Sequence, residues 1–269
     1  MKSVIVIPAR YQSTRLPGKP LALINGKTML ERVVRISESV AAKVKNVSVL
    51  VATDDERILK HCDLLAVASI FTSPDLLTGT DRVAEAIRLS GDNPDFILNM
   101  QGDAPLTPPD FLIDMINAFG NQPCDVITPV TRLTWDELDK LRNSKLTTPF
   151  SGTTAVFNEE TGRAYWFSKN IIPAIRKEIG LRNNSGKSPV YRHIGLYGYS
   201  KMMLMKYSTL KENFYENLEG LEQLRLLEQG YDIRCVTVDY KGRANMSGVD
   251  SYEDITRAEM LIQKHGELI

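Results

Sequence analysis

Residues 7–21, IPARYQSTRLPGKPL, decide how this chain is read. They continue the apolar run 4–7, which has the character of a buried first strand, and they put Arg10, Arg15 and Lys19 on one loop. Pro17, Gly18 and Pro20 break any helix there, so the backbone must loop. A helical pattern begins only at about Thr28. Open α/β sheets bind ligands outside the carboxyl ends of their strands, and a strand running into a basic loop and then a helix is such a place. Arginine offers phosphate a two-pronged fork and lysine a point charge. On charge alone, a solvated surface turn explains the loop equally well.

The chain downstream repeats the strand–helix alternation. Residues 28–42 place Met29, Val33, Ile36 and Val40 at helical spacing with charges opposite. Residues 47–53 form a Val-rich run followed by Asp54 and Asp55, 56–62 read as a short helix, and 67–71 as a third strand. Residues 81–89 predict a helix with Asp81 as N-cap. Residues 96–100 form another buried strand ending in Gln101-Gly102-Asp103, and 108–119 a helix with proline in its first turn. Continuous rather than alternating apolar strands argue for a parallel sheet covered on both faces. Polar clusters then follow three strands along one edge of that sheet.

The second half is less regular. Residues 125–132 and 153–158 read as strands, 163–170 as a short helical turn, and 174–190 as a mobile loop. Residues 193–199 look like a strand, 216–229 like one helix with leucines at helical spacing, 233–239 like a strand, and 251–264 like a final helix capped by Ser251. Without a linker or internal repeat, the reading is one compact domain over 1–269 with a smaller insertion at about 125–215.

Composition narrows the function. The 269 residues are 43% apolar and 25% charged, with 33 Lys+Arg against 33 Asp+Glu, so the formal net charge is zero. Nucleic acids and anionic membranes normally demand a basic surplus, so neither is expected as a partner. Three scattered cysteines, Cys62, Cys124 and Cys235, contain no CxxC pair and give no zinc ribbon or disulfide framework. No apolar run approaches the roughly 20 residues that span a bilayer, and a cytoplasmic protein is expected.

Several motifs compete for attention. Ser185-Gly186-Lys187-Ser188 resembles the end of a P-loop, but the earlier glycine is out of place and Pro189 stands where a helix should start. There is no GxGxxG. His61, His193 and His265 lack metal-ligand spacing. His193, opening a strand, is a site candidate, and a core or capping role fits it as well. Asp103 and Asp250 are more telling. A carboxylate at a buried strand end is costly without a cation, and two of them beside a basic loop could hold Mg²⁺ against a triphosphate. Spacing alone does not bring them together, and Asp250 could equally cap the last helix.

Taken in order, IPARYQSTRLPGKPL (7–21), VATDDERI (51–58), TGTDRVAEA (78–86), NMQGDAPL (99–106), AYWFSK (164–169), YRHIGLYGYS (191–200), LEGLEQLRLLEQG (218–230) and SGVDSYEDI (247–255) resemble the 3-deoxy-manno-octulosonate cytidylyltransferase (CMP-Kdo synthetase) family over about residues 4–262. The resemblance implies an α/β nucleotide-diphospho-sugar transferase fold, Rossmann-like, with a mixed, mostly parallel sheet sandwiched by helices. It implies a Mg²⁺-dependent homodimer that joins CTP to a 3-deoxy-ulosonic acid and releases pyrophosphate. Carried over by position, Arg10, Ser13, Arg15 and Lys19 would hold the nucleotide's phosphates, and Pro8, Ala9 and Gln101 would also bind the nucleotide. Ala52, Thr53, Asp54, Gly79, Thr80 and Arg82 would frame ribose and cytosine. Asp103 and Asp250 would bind Mg²⁺ and, with Lys19 and Arg15, form the catalytic set. Gln101, Lys169, Tyr191, His193, Glu222 and Gln223 would line the sugar pocket.

Departures fall on the sugar side. Ala104 stands where the family has Glu after QGD, Lys169 replaces the family's Arg, Thr154 replaces a Lys, and 174–190 is long. They leave CTP use intact and point to Kdo or a modified, for instance amino-substituted, acid. Two other classes compete: a silent nucleotide-binding paralogue, against which Asp103, Asp250 and Lys19 speak, and a glycosyltransferase, which has no pyrophosphate to expel and no need of RLPGKP.

Overall fold

The structure, a computed structural model, describes every residue except Thr14, Ala244, Asn245 and Ser247. The Thr14 and Ser247 positions of the motifs at 7–21 and 247–255 therefore lie outside the described residues. In chain order the elements are β1 (Ser3–Ala9), a 3-10 turn (Lys19–Leu21), β2 (Leu23–Ile24), β3 (Lys27–Thr28), α1 (Met29–Lys43), β4 (Val47–Thr53), α2 (Glu56–Leu65), β5 (Ser69–Phe71), α3 (Gly79–Ser90), β6 (Phe96–Asn99) and α4 (Pro109–Asn121). They continue with β7 (Val126–Thr134), α5 (Trp135–Lys145), β8 (Thr154–Phe157), β9 (Ala164–Ser168), α6 (Glu178–Asn184), β10 (Lys187–His193), β11 (Tyr197–Ser200), α7 (Lys201–Tyr207), α8 (Phe214–Glu219), α9 (Glu222–Glu228), β12 (Ile233–Thr237) and α10 (Tyr252–His265). The chain divides into two compact units: 1–123 with 196–208 and 240–269, and 124–195 with 209–239.

In the first unit β1 is central, flanked by parallel β4 and β6; β5 extends β4 in parallel and β11 pairs antiparallel with β6. All of β1 except Pro8 is buried, as expected for a strand with helices on both faces. α1 starts where Thr28 caps the Glu31 N–H at 3.0 Å and buries Met29, Val33, Ile36 and Val40, a cap of the kind that contributes about 1 kcal/mol. Leu16, Ile24 and Met29 pack with Val249, Ala258 and Ile262 in one core cluster. That cluster pins the basic loop through Leu16, so the loop is anchored on both sides of its charges. The cap of α3 is Thr78, not Asp81: Thr78 accepts from the Asp81 N–H at 3.0 Å and donates to the Asp81 carboxylate at 2.7 Å.

In the second unit β7 pairs parallel with β12 and antiparallel with β10, which continues antiparallel to β8 and then β9. Four local expectations are corrected here. Residues 163–170 hold a strand rather than a helical turn, because Tyr165-Trp166-Phe167 suits the half-buried pleat better than a helix. The 174–190 stretch holds α6 and the start of β10. α6 is stapled to α5 by Arg142–Glu178 at 2.8 Å and Arg182–Asp139 at 2.7 Å. The expected helix at 216–229 is two helices, parted at Gly220, whose φ of +62° is readily reached by glycine. Residues 185–188 run from the end of α6 into β10 and form no strand–loop–helix cradle. The strand expected at 193–199 is likewise split between β10 and β11. No helix among the described residues is long and apolar enough to cross a membrane.

Candidate active site

The strand order β5-β4-β1-β6 makes a switch point between β1 and β6. The chain fills one side of β1 with β4 and β5, then crosses to the other side for β6. Loops leaving β1 and β6 therefore diverge, and a crevice opens at their carboxyl ends. A cavity of about 260 Å³ lies there, and its lining includes Pro8, Ala9, Arg10, Ser13, Lys19, Gly79, Arg82, Gln101 and Asp103. Gly102 explains how the two loops meet: a Cβ there would stand 2.6 Å from the Pro8 carbonyl oxygen, so only glycine lets the backbones approach this closely. The Val249 N–H donates to the Asp103 carbonyl at 2.9 Å and carries Asp250 to the same place.

Asp103 and Asp250, 147 positions apart in the chain by their numbering, converge on one ammonium. Lys19 Nζ donates to Asp103 Oδ2 at 2.6 Å and to Asp250 Oδ1 at 2.7 Å, and Arg15 adds a 3.0 Å ion pair to Asp250 Oδ2. Burial pulls the Lys19 ammonium down, but attraction to Asp103 and Asp250 outweighs it, so its pKa lies above the usual lysine value. Burial likewise raises the Asp250 carboxyl, and Lys19 and Arg15 more than reverse this, leaving it below the ordinary carboxylate range. Asp250 does not cap α10; Ser251 does.

Deeper in the crevice, Arg82 is fully buried and pairs with Asp54 at 2.6 Å and with the Thr72 hydroxyl. Burial, then Asp54 in the opposite sense and Arg10 in the same sense, leaves its pKa below the usual guanidinium value. Arg10 Nη2 and Arg82 Nε are buried with no acceptor among the described residues. Native proteins seldom leave buried donors unmet, so two of them bordering one cavity mark a place for a polar ligand. The other nucleotide-side expectations lie outside the cavity lining. Arg15 is held on Asp250, Ala52 is buried in β4 opposite Pro8, Thr53 is buried at the end of β4, and Thr80 is buried within reach of Asn99 Nδ2 at 3.5 Å.

The residues expected on the sugar side belong to the second unit, apart from Gln101. Tyr191 and Phe167 both stand opposite Ala155, so with a two-residue period Tyr191 and His193 share a sheet face with Phe167. Lys169 follows β9 by one residue. The His193 ring lies edge-on to Phe167 with centroids 5.2 Å apart, and its Nε2 is 2.8 Å from the Thr128 hydroxyl. Burial, and secondarily the Lys169 charge, push the His193 imidazole down to about 3. It is a neutral hydrogen-bonding group at working pH. Lys169 is lowered by burial against a partial pull from Glu219. Glu222 and Gln223 open α9, which packs on β9, and Gln223 is buried.

Some participants went unread in the sequence. Thr72 and Asn99 hold Arg82 and Gln101, the latter through a 3.3 Å bond from Gln101 Nε2 to Asn99 Oδ1. A polar residue ending a buried apolar strand was the available signal for Asn99. Lys145 and Glu219, which bond the backbone of Lys169, look in sequence like ordinary surface charges.

A switch-point crevice with paired carboxylates, a lysine between them and buried unmet guanidinium donors defines an α/β nucleotidyltransferase. The chain belongs to the cytidylyltransferase family, whose pattern matches residues 4–233. It is 42% identical over 270 residues, covering all of both chains, to the 3-deoxy-manno-octulosonate cytidylyltransferase of Maricaulis maris (strain MCS10). It is 36% identical over 260 residues to the 8-amino-3,8-dideoxy-manno-octulosonate cytidylyltransferase of Shewanella sp. (strain W3-18-1), covering 96% of this chain and 98% of that one. Among solved structures it is similar to CMP:2-keto-3-deoxy-manno-octonic acid synthetase complexed with CTP. The TM-score is 0.82 and the identity 32%, over 98% of this chain and 99% of that one. The fold is that of the nucleotide-diphospho-sugar transferases.

Proposed function

We propose that this chain transfers CMP from CTP to the anomeric hydroxyl of a 3-deoxy-ulosonic acid, Kdo or a modified Kdo, and releases pyrophosphate. The observation that carries the reading is the convergence of Asp103 and Asp250 on Lys19 at the switch-point crevice. In the transfer, the anomeric oxygen forms a bond to the α-phosphorus, the bond from that phosphorus to the bridging oxygen breaks, and the hydroxyl proton leaves to solvent. Lys19, lining the crevice, meets charge building on the departing pyrophosphate, and Arg15 supports it from the loop's rim. Arg10 and Arg82 use their unmet donors on the nucleotide, Ser13 and the loop backbone steady the phosphates, and Gly79 and Gly102 allow close approach.

Asp103 and Asp250 fit Mg²⁺ by their chemistry. They are two hard oxygen donors already turned toward one cation, the Lys19 ammonium. Among the described residues no third His, Cys, Asp or Glu completes a set, so triphosphate oxygens and water would supply the other ligands, as is usual for this ion. When bound, Mg²⁺ lowers the hydroxyl's pKa and neutralises phosphate charge. Lys169, Tyr191, His193, Glu222 and Gln223 receive the acid sugar, and neutral His193 serves there as a hydrogen-bonding group. Exposed Leu146, Phe150 and Ile179 on the second unit support a homodimer. The reaction is placed in the cytoplasm, where CTP is available.

The test is pyrophosphate release from CTP and Mg²⁺ over a panel of ulosonic acids. Release with 3-deoxy-manno-octulosonate or its 8-amino form is expected, and none with any acid would overturn the reading. Sedimentation velocity tests the homodimer; a monomer at micromolar concentration would refute it.

A further inference from the structure

Residues 169–172 follow β9 without regular structure, yet side chains from other elements take up their backbone groups. The Lys169 N–H donates to Glu219 Oε2, which also accepts from the Ser168 hydroxyl at 3.0 Å. The Lys169 carbonyl accepts from Lys145 Nζ. The Asn170 N–H donates to Ser168 Oγ at 3.0 Å, and the Asn170 carbonyl accepts from the Thr154 hydroxyl at 2.7 Å. The Ile172 N–H returns to the same Thr154 oxygen at 3.0 Å. Both sides of Lys169 are thus clamped by residues that sequence places 24 and 50 positions away.

The two lysines here have opposite fates. Lys145 ends α5, and its ammonium lies within 3.2 Å of the carbonyls of Pro149, Ser151, Gly152 and Lys169. An ammonium has three protons, so Lys145 has none to spare for a ligand. Lys169 makes no side-chain hydrogen bond or ion pair among the described residues, although its ammonium is half-buried. Glu219 and Lys145 act on it electrostatically, and its own charge acts on the neutral His193 ring. Glu219, at the carboxyl end of α8, sits where a helix disfavours an anion, and its two donors from 168 and 169 offset that. Gly220 then turns the chain into α9, bringing Glu222 and Gln223 directly after the clamp.

We infer that Lys145 and Glu219 are positioning residues that fix the 168–172 backbone so that the free Lys169 ammonium meets the acceptor's carboxylate. The inference rests on the proposed acid-sugar role of Lys169. A four-carbon side chain on a mobile backbone would search a large volume; a clamped one starts from a fixed Cα, and the ordering is prepaid in folding.

Two measurements separate the clamp from that role. Hydrogen exchange of peptides covering 168–172 in the free protein reads the clamp directly. Glu219→Ala and Lys145→Met should each speed exchange there on the order of tenfold or more, while Glu219→Gln, which keeps an acceptor oxygen, should stay near wild type. Unchanged exchange in both Glu219→Ala and Lys145→Met would overturn the inference; if one fails to fold, the other decides. Kinetics read the consequence. Glu219→Ala should raise KM for the acid sugar about tenfold with CTP KM unchanged, and on a Lys169→Met background it should add less than about twofold. Full additivity would mean that Glu219 does not act through Lys169 and would also overturn the inference. If Lys169→Met leaves the sugar KM unchanged while exchange responds as expected, the acid-sugar role of Lys169 fails and the clamp stands.

Discussion

The crevice in the first unit and the 168–172 segment in the second are built in different ways. In the crevice four of the functional groups stand just beyond strands: Arg10 beyond β1, Asp54 beyond β4, Gln101 and Asp103 beyond β6. Backbone pairing in the parallel ladder sets their positions, and β1 is in register with β4 over its whole length. In the second unit, backbone groups of an irregular segment are satisfied by Glu219, Lys145, Thr154 and Ser168. The first construction tolerates surface variation, because the ladder fixes it. The second depends on individual side chains, so single substitutions should retune it without touching the nucleotide side.

The largest expected effect tests the first half of that contrast. Asp103→Asn or Asp250→Asn should lower kcat on the order of 10²–10³-fold with thermal unfolding nearly unchanged, since Asp103 follows ladder-held β6 and Asp250 follows Val249, whose backbone bonds Asp103 and whose side chain is in the core. Near wild-type turnover in pyrophosphate-release assays would remove these residues from the catalytic set. Next comes Gly102→Ala. The added Cβ must displace backbone rather than a pliable side chain, and overpacking of this kind costs about 1–3 kcal/mol. Urea unfolding should show that loss together with a raised CTP KM; a variant as stable as wild type would mean the β1 and β6 loops are not tightly apposed.

The same contrast explains what could be read from sequence. The parallel half was legible because continuous apolar runs mark its strands and polar clusters mark their ends, so Arg10, Lys19, Asp54, Gln101 and Asp103 stood out. The meeting of Asp103 with Asp250 was not legible, because it depends on the Val249–Asp103 bond and the packing of Leu16 against Val249. On the other side, the strand at 164–168 reads in sequence as a turn, since three aromatics in five residues carry no clear period. The α6 segment reads in sequence as a loop because its ion pairs to α5 connect residues far apart in the chain. Lys145 and Glu219 carry no sequence signal at all: a charged residue looks the same whether it faces water, four carbonyls or a backbone N–H.

A smaller effect probes the second construction. Thr154 is fully buried and serves both as donor to Asn170 and acceptor from Ile172. Thr154→Val keeps its shape and removes both bonds, which should cost about 1–2 kcal/mol and raise the sugar KM while leaving CTP KM alone. A change in CTP KM of similar size would break the proposed independence of the two sides. Lys169→Arg, with a fork in place of a point donor, should shift the ratio of rates with the 8-amino and ordinary acids; an unchanged ratio would take acceptor selection away from this side chain.

The smallest expected effect concerns acid stability and bears on the crevice alone. The Asp250 carboxyl lies below its ordinary value of 3.8 in the folded protein, since Lys19 and Arg15 outweigh the effect of burial. A carboxyl depressed on folding contributes stability at pH above its unfolded pKa, and the contribution disappears as pH falls through the folded value. Stability of the wild type should therefore fall more steeply than that of Asp250→Asn below about pH 3.8. Lys19, raised above 10.5, acts in the opposite sense, with its contribution present below that value and lost as pH rises past it. The Asp250 side chain is 41% exposed, so solvent screening should hold the acid difference under about 1 kcal/mol, and added salt should shrink it further. Urea unfolding across pH, with and without salt, measures both limbs. Parallel acid limbs for wild type and Asp250→Asn would mean that the carboxylate pair is not stabilised by Lys19 in solution, and the convergence of Asp103, Asp250 and Lys19 would lose its energetic support.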